Sequence, residues 1–263
     1  MQAINWDSRE KFLTCSKVTQ TPLFIMGLLA LAVAPGIAIC IFIYLKDKYN
    51  KEPIGLLIWG FILGMLSIIP AIIIQLGFTK YFGDWMNGDL IYIGFYAFVI
   101  VALSEEGSKF LVLRLFIYPR KAFDDPFDGI MYTVMVGMGF ATLENIGYVY
   151  EHGVGTAITR MFLSVPAHGT FAVLMGYYVG LAKFNPSKRG RYFLLAILLP
   201  AFFHGGFDFC LFSGIQWLQV TGALSSFAVA IILSLRAIRN KQAISKAHFE
   251  STNIIPRDED QLL

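Results

Sequence analysis

Residues 90–117 read LIYIGFYAFVIVALSEEGSKFLVLRLFI. Apolar on both flanks and long enough to cross a bilayer, the segment carries Glu105, Glu106 and Lys109 at its centre. Insertion scales charge roughly 2.5–3.5 kcal/mol for one such group at the middle of a membrane helix. A span that keeps three of them implies a compensating environment built by the rest of the chain.

The rest of the chain is membrane protein. Its 263 residues are 56% hydrophobic and 15% charged, with a mean hydropathy of +0.62, more apolar than the core of one water-soluble domain of this size requires. A spanning helix takes about 20 mostly apolar residues. Seven segments meet this, at about 23–45, 54–76, 90–117, 128–150, 157–182, 192–212 and 215–235. The expected fold is all-α, a polytopic bundle of about seven transmembrane helices, with an eighth crossing or re-entrant segment left open at the amino end. Residues 1–22 form a polar arm that fits a signal peptide poorly, residues 23–235 the membrane domain, and residues 236–263 a basic-to-acidic cytoplasmic tail read as a lipid-facing stub followed by disorder.

Lys and Arg cluster in alternate connections: Lys46, Lys48 and Lys51; Arg120 and Lys121; Lys183, Lys188, Arg189 and Arg191; then Arg236, Arg239, Lys241 and Lys246. The positive-inside rule places these in the cytoplasm, with the amino terminus outside and the carboxyl terminus inside; Arg9, Lys11 and Lys17 weigh against that. The net charge of +3 concerns orientation, and no nucleic-acid partner is implied. Cys15, Cys40 and Cys210 lack CxxC spacing, so neither a disulfide framework nor a thiolate metal site is expected. GxxxG spacings at Gly60/Gly64 and Gly176/Gly180 permit close helix approach.

Other spans supply polar partners for the paired glutamates. Glu144 and Asn145 lie in GFATLENIGYV, His168 in PAHGTF, and His204 with Asp208 in HGGFD. Left unpaired, the carboxylates and the lysine represent on the order of 10 kcal/mol or more. Glu105 and Lys109 stand i,i+4 on one helical face, leaving Glu106 to look elsewhere. His204 and Asp208 are also i,i+4, a spacing that suits two ligands of one metal or a ligand with its orienting partner. The buried carboxylates exceed the buried cations by three, an excess that a divalent cation or proton sharing would cancel. By the same reading Lys109 is the counter-ion of Glu105, Asn145 is interhelical glue, Arg114 and Arg160 snorkel, and Tyr81, Trp85, Tyr92, Tyr148 and Trp217 form an interface belt.

These residues carry a resemblance. EEGSK resembles the EExxK motif of the PrsW family of intramembrane metalloproteases, FATLEN its second motif and HGGFD its HxxxD; PGIAICIFIYLKDKYNKEP is similar to its first helix and loop. The likeness runs from about Pro35 to Leu235. It implies a helical core shared with the CaaX prenyl proteases and hydrolysis of a peptide bond in or beside a substrate's membrane segment. Glu105, Glu106, Lys109 and Asn145 would form the catalytic group, with one of the two glutamates as general base. Glu144, His168, His204 and Asp208 would bind a divalent metal of the zinc type, although the CaaX branch leaves a glutamate-driven, metal-free version open. The substrate implied is a single-span membrane protein such as an anti-sigma factor, in a bacterial cytoplasmic membrane. HExxH, GxGD and GxSG are missing. Two rival classes stand beside the protease, a proton- or cation-coupled transporter and a non-catalytic scaffold that binds a partner helix.

Overall fold

A computed structural model describes residues 22–83 and 89–254, and all regular elements among them are helical. They are α1 (Pro22–Lys46), α2 (Ile54–Leu66), α3 (Ile68–Phe82), α4 (Leu90–Phe95), α5 (Leu103–Val112), α6 (Asp128–Phe162), α7 (Ser164–Phe184), α8 (Arg189–Phe212) and α9 (Ala223–Ile254). Wider π-helical turns at Tyr96–Ala102 and Leu113–Ile117 flank α5.

Six stretches among the described residues are long and apolar enough to cross a membrane, fewer than the seven or eight expected. The difference lies in Asp128–Phe184, one 57-residue stretch that folds back on itself. In a straight helix Glu144 and Arg160 would stand roughly 24 Å apart, yet their side chains meet at 2.7 Å. Val149 and Ala157 share one apolar cluster for the same reason. The chain reverses at Gly153, where φ is 76°, a left-handed conformation that glycine adopts without a Cβ penalty. A second irregularity follows at Leu163 (φ −121°, ψ −69°). It is caused by Pro166, which offers no N–H and whose ring crowds the carbonyl of Phe162 one turn earlier.

The first half of α6 is the axis of the bundle. Every residue from Asp128 to Thr142 is buried, as expected of a helix enclosed on all sides. Glycines make this enclosure possible: Gly64 of α2 lies on the backbone of Val136, Gly139 on the backbone of Phe61, and Gly129 on Gly176 and Gly180 of α7. Both GxxxG pairs therefore face α6, where small residues let backbones touch.

Two expectations change at the basic end of the bundle. Helix α9 does not stop near residue 235 but runs on to Ile254. It buries Lys241 and Ser245, and Gln242 Nε2 donates to the Lys46 carbonyl at 2.6 Å. Residues 236–254 are thus a docked helix and not a stub, because small and aliphatic side chains such as Ala237 and Ile238 give that stretch a buried face. Asp258, Glu259 and Asp260 lie outside the described residues, as do the amino-terminal arm with Cys15, Arg9, Lys11 and Lys17, and Trp85. Cys40 and Cys210 are free and buried.

Between α1 and α2, burial pushes the Asp47 carboxyl up to about 6 and that of Glu52 up to about 7, with neighbouring acids adding to the rise in both. The folded state therefore binds these protons more tightly than the unfolded chain does. The stability they confer is complete below about pH 4 and is lost as pH rises through about 6 to 7. In cation-free protein the melting temperature should accordingly fall between about pH 4 and pH 7, and Glu52→Gln should shrink that fall. Equal slopes for both proteins would refute the assignment.

Candidate active site

The spacing of SEEGSK places Ser104, Glu105, Glu106, Ser108 and Lys109 on the buried side of α5. Glu106 is the hub. Its Oε1 accepts from Lys109 Nζ at 2.8 Å and lies 2.9 Å from His204 Nδ1 on α8. Lys109 also stands 3.6 Å from Glu105 Oε2, 3.3 Å from His168 Nδ1 on α7, and 4.0 Å above the Phe140 ring. The expected pairing is thus corrected: Lys109 serves Glu106 first and Glu105 second. On a helix the i,i+3 neighbour is as reachable as the i,i+4 one, and Glu106 is turned toward α8, where His204 waits.

Each imidazole is backed by a carboxylate. His168 Nε2 is 2.9 Å from Glu144 Oε2, and His204 Nε2 is 3.2 Å from Asp208 Oδ2. The two rings sit edge to face with centroids 5.1 Å apart, and Phe171 stacks on His204 at 5.1 Å. Glu105, His168 and His204 each offer one ligand atom within 4.8 Å of the others, a group that could hold a metal ion. Glu144 and Asp208, expected as ligands, stand behind the imidazoles, where carboxylates orient metal-binding histidines.

Glu105 is the member of the acidic pair that faces open space. It lines a cavity of about 880 Å³ together with Glu144, His168, His204, Asp208 and Arg160, whereas Glu106 and Lys109 lie behind the wall. Gln75 Nε2 of α3 donates to Glu105 Oε1 at 3.2 Å, while Glu105 Oε2 and Glu106 Oε2 are buried without a hydrogen-bond partner. Glu105 Oε2, free of hydrogen bonds, stands with the two imidazoles in a group whose nitrogen and oxygen atoms are of the kind that bind a divalent ion. Glu151, His152, Thr156 and Thr159, near the Gly153 reversal, continue the lining. The cavity therefore opens toward the end of the bundle away from the basic loops.

Asn145, expected in the catalytic group, turns away from the glutamates. Its amide donates to the Ala32 carbonyl of α1 at 2.8 Å and accepts from Arg160 Nε at 2.9 Å. Arg160 does not snorkel: its guanidinium pairs with Glu144 at 2.7 Å and lies 4.1 Å above the Tyr148 ring. The reversal at Gly153 is what carries it there. With Arg160 counted, two buried carboxylates (Glu105, Glu106) and two half-buried ones (Glu144, Asp208) face two fixed cations, so the excess falls from three to two, the charge of one divalent ion. Tyr148 likewise lines the cavity. Gln75 was legible as the one polar break in AIIIQLGF, but its partner was not. Arg114 lies over the rings of Tyr118 and Phe193.

Fold and site together define a polytopic membrane protein with a hydrolase-type acid and imidazole cluster sunk among its helices. The sequence model described as PrsW family intramembrane metalloprotease matches residues 52–236. Among similar proteins, the protease PrsW of Geobacillus kaustophilus is 40% identical over 73% of this chain and 82% of its own length. That of Bacillus subtilis is 35% identical over 73% and 86%, and that of Oceanobacillus iheyensis 39% over 71% and 83%. The chain belongs to the PrsW family of intramembrane metalloproteases. It is an integral membrane peptidase, and the family description supports a divalent metal. No solved structure gives a significant match.

Proposed function

We propose that the protein hydrolyses a peptide bond in or next to the transmembrane segment of a single-span protein, a membrane-bound anti-sigma factor being the substrate class that the PrsW resemblance favours. The observation that carries this reading is the cavity wall, where Glu105, His168 and His204 meet. Glu105, with Oε2 free of hydrogen bonds and Oε1 steadied by Gln75, takes the proton of the attacking water as general base. Glu106 holds His204 in place, with Lys109 compensating its charge. Glu144 and Asp208 orient the two imidazoles, and Arg160 with Asn145 fixes Glu144. His168 and His204 would hold zinc beside Glu105, and the ion when bound would supply Lewis acidity toward the scissile carbonyl.

The folded Asp128–Phe184 stretch counts as two crossings in this reading, giving seven. The amino terminus then faces outside, the carboxyl terminus lies in the cytoplasm, and the membrane is the bacterial cytoplasmic one. Basic residues at the end opposite the cavity mouth support that orientation, which directs cleavage to the outer half of the bilayer.

The test is metal analysis of the purified protein coupled to cleavage of a single-span substrate in vesicles. About one equivalent of zinc, loss of cleavage on chelation and recovery on zinc addition are expected. Full cleavage by metal-free protein would replace the zinc reading with a glutamate-driven one. Absence of cleavage together with ion flux would replace the protease.

A further inference from the structure

A second group of acids lies at the other end of α6. Asp128 begins that helix, and Glu144 follows roughly 24 Å along it at 1.5 Å per residue, so this group is separate from the charged cavity. Glu52 enters from the α1–α2 connection, and Asp124 from the turn that precedes α6. Glu52, Asp124 and Asp128 each place one carboxylate oxygen within 4.8 Å of the other two.

What these acids already bond to is informative. Asp128 Oδ2 accepts from the backbone N–H groups of Asp124 and Asp125, at 2.8 and 2.6 Å. Its other oxygen, Oδ1, is buried on a fully buried residue and has no partner; nor does Asp47 Oδ2 close by. Among the described residues, no Lys or Arg forms an ion pair with Glu52, Asp124 or Asp128. Lys51 instead donates to the Tyr44 carbonyl and Lys183 to the Tyr118 carbonyl. Native folds rarely leave such an oxygen without a donor or an ion. Three carboxylates with no nitrogen or sulfur donor suit a hard cation, with oxygen ligands from separate loops. Asp124 is exposed, and it lines a second cavity, of about 310 Å³, beside Asn50 and Asp125.

We propose that Glu52, Asp124 and Asp128 form a binding site for a hard divalent cation of the calcium or magnesium class, which ties the α1–α2 connection to the start of α6. The site is independent of the proteolytic reading.

Terbium(III) is the probe, because the Tyr132 hydroxyl bonds to Glu52 Oε2 and tyrosine sensitises terbium luminescence. Full-length protein in detergent should give saturable luminescence that calcium or magnesium displaces. Asp124→Asn, an exposed substitution that leaves the fold intact, should weaken terbium binding at least about tenfold, as losing one charged ligand does. Tyr132→Phe should abolish the luminescence while calcium still raises the melting temperature. Glu105→Gln, a change at the other acid cluster that keeps the side chain's shape, should leave both signals unchanged. The proposal is overturned if calcium and magnesium leave the melting temperature unmoved, if Asp124→Asn binds terbium like the parent, or if Glu105→Gln is the variant that loses it. A melting temperature that responds to pH and to no cation would show instead a proton shared between Glu52 and Asp128.

Discussion

Glu105→Gln is expected to abolish cleavage while the bundle stays folded. Glutamine keeps the shape of the side chain and the contact with Gln75, the one hydrogen bond recorded for the Glu105 carboxylate, but it cannot take a proton from water. A lost general base lowers the rate by about 10²–10⁴-fold. Glu106→Gln should behave differently, because it weakens charged bonds to both Lys109 and His204 in a buried site. Removing one partner of such a pair leaves the other charge stranded, at a cost of about 3–5 kcal/mol. Glu106→Gln should therefore lose thermal stability as well as activity. Cleavage assays paired with melting curves for the two variants separate the roles. A Glu105→Gln enzyme with at least a tenth of parental activity would remove Glu105 as the base.

Gly139→Leu is expected to prevent the bundle from assembling at all. A Cβ at position 139 would run into the backbone of Phe61 and Met65 on α2. Backbone cannot rotate out of the way as a side chain can, so α2 and α6 must part. Overpacking that side chains can absorb costs about 1–3 kcal/mol, and a backbone collision between the two central helices exceeds that range. Gly64→Leu, which meets the backbone of Val136 from the other side, should fail in the same way. Gly77→Ala on α3 is the control, since nothing lies within 4 Å of its added methyl; alanine there should be neutral or stabilising by up to about 1 kcal/mol. Expression and monodispersity in detergent report the outcome, and a well-folded Gly139→Leu protein would contradict the packing described.

Much of this protein was readable along the chain. Runs of about 20 apolar residues announce membrane helices because lipid cannot satisfy an exposed backbone. Charges inside those runs announce a site because burying them is costly. Glu105, Glu106, Lys109, Glu144, His168, His204 and Asp208 stood out on that ground, and the fold brings all seven into one network.

Tertiary structure decided how the network is wired. Lys109 can reach either glutamate along α5, and only the position of His204 on α8 decides which carboxylate turns inward and which faces the cavity. Arg160 looked like a residue bound for the membrane surface until the reversal at Gly153 folded it onto Glu144. Carboxyl-terminal helix α9 extends past its apolar run because the loop face offers a surface to dock on. Hydropathy and spacing depend on a residue and its near neighbours, so they locate helices and flag costly charges. The partner of a charge lies across a gap between helices, and that depends on turns and close glycine contacts many residues away.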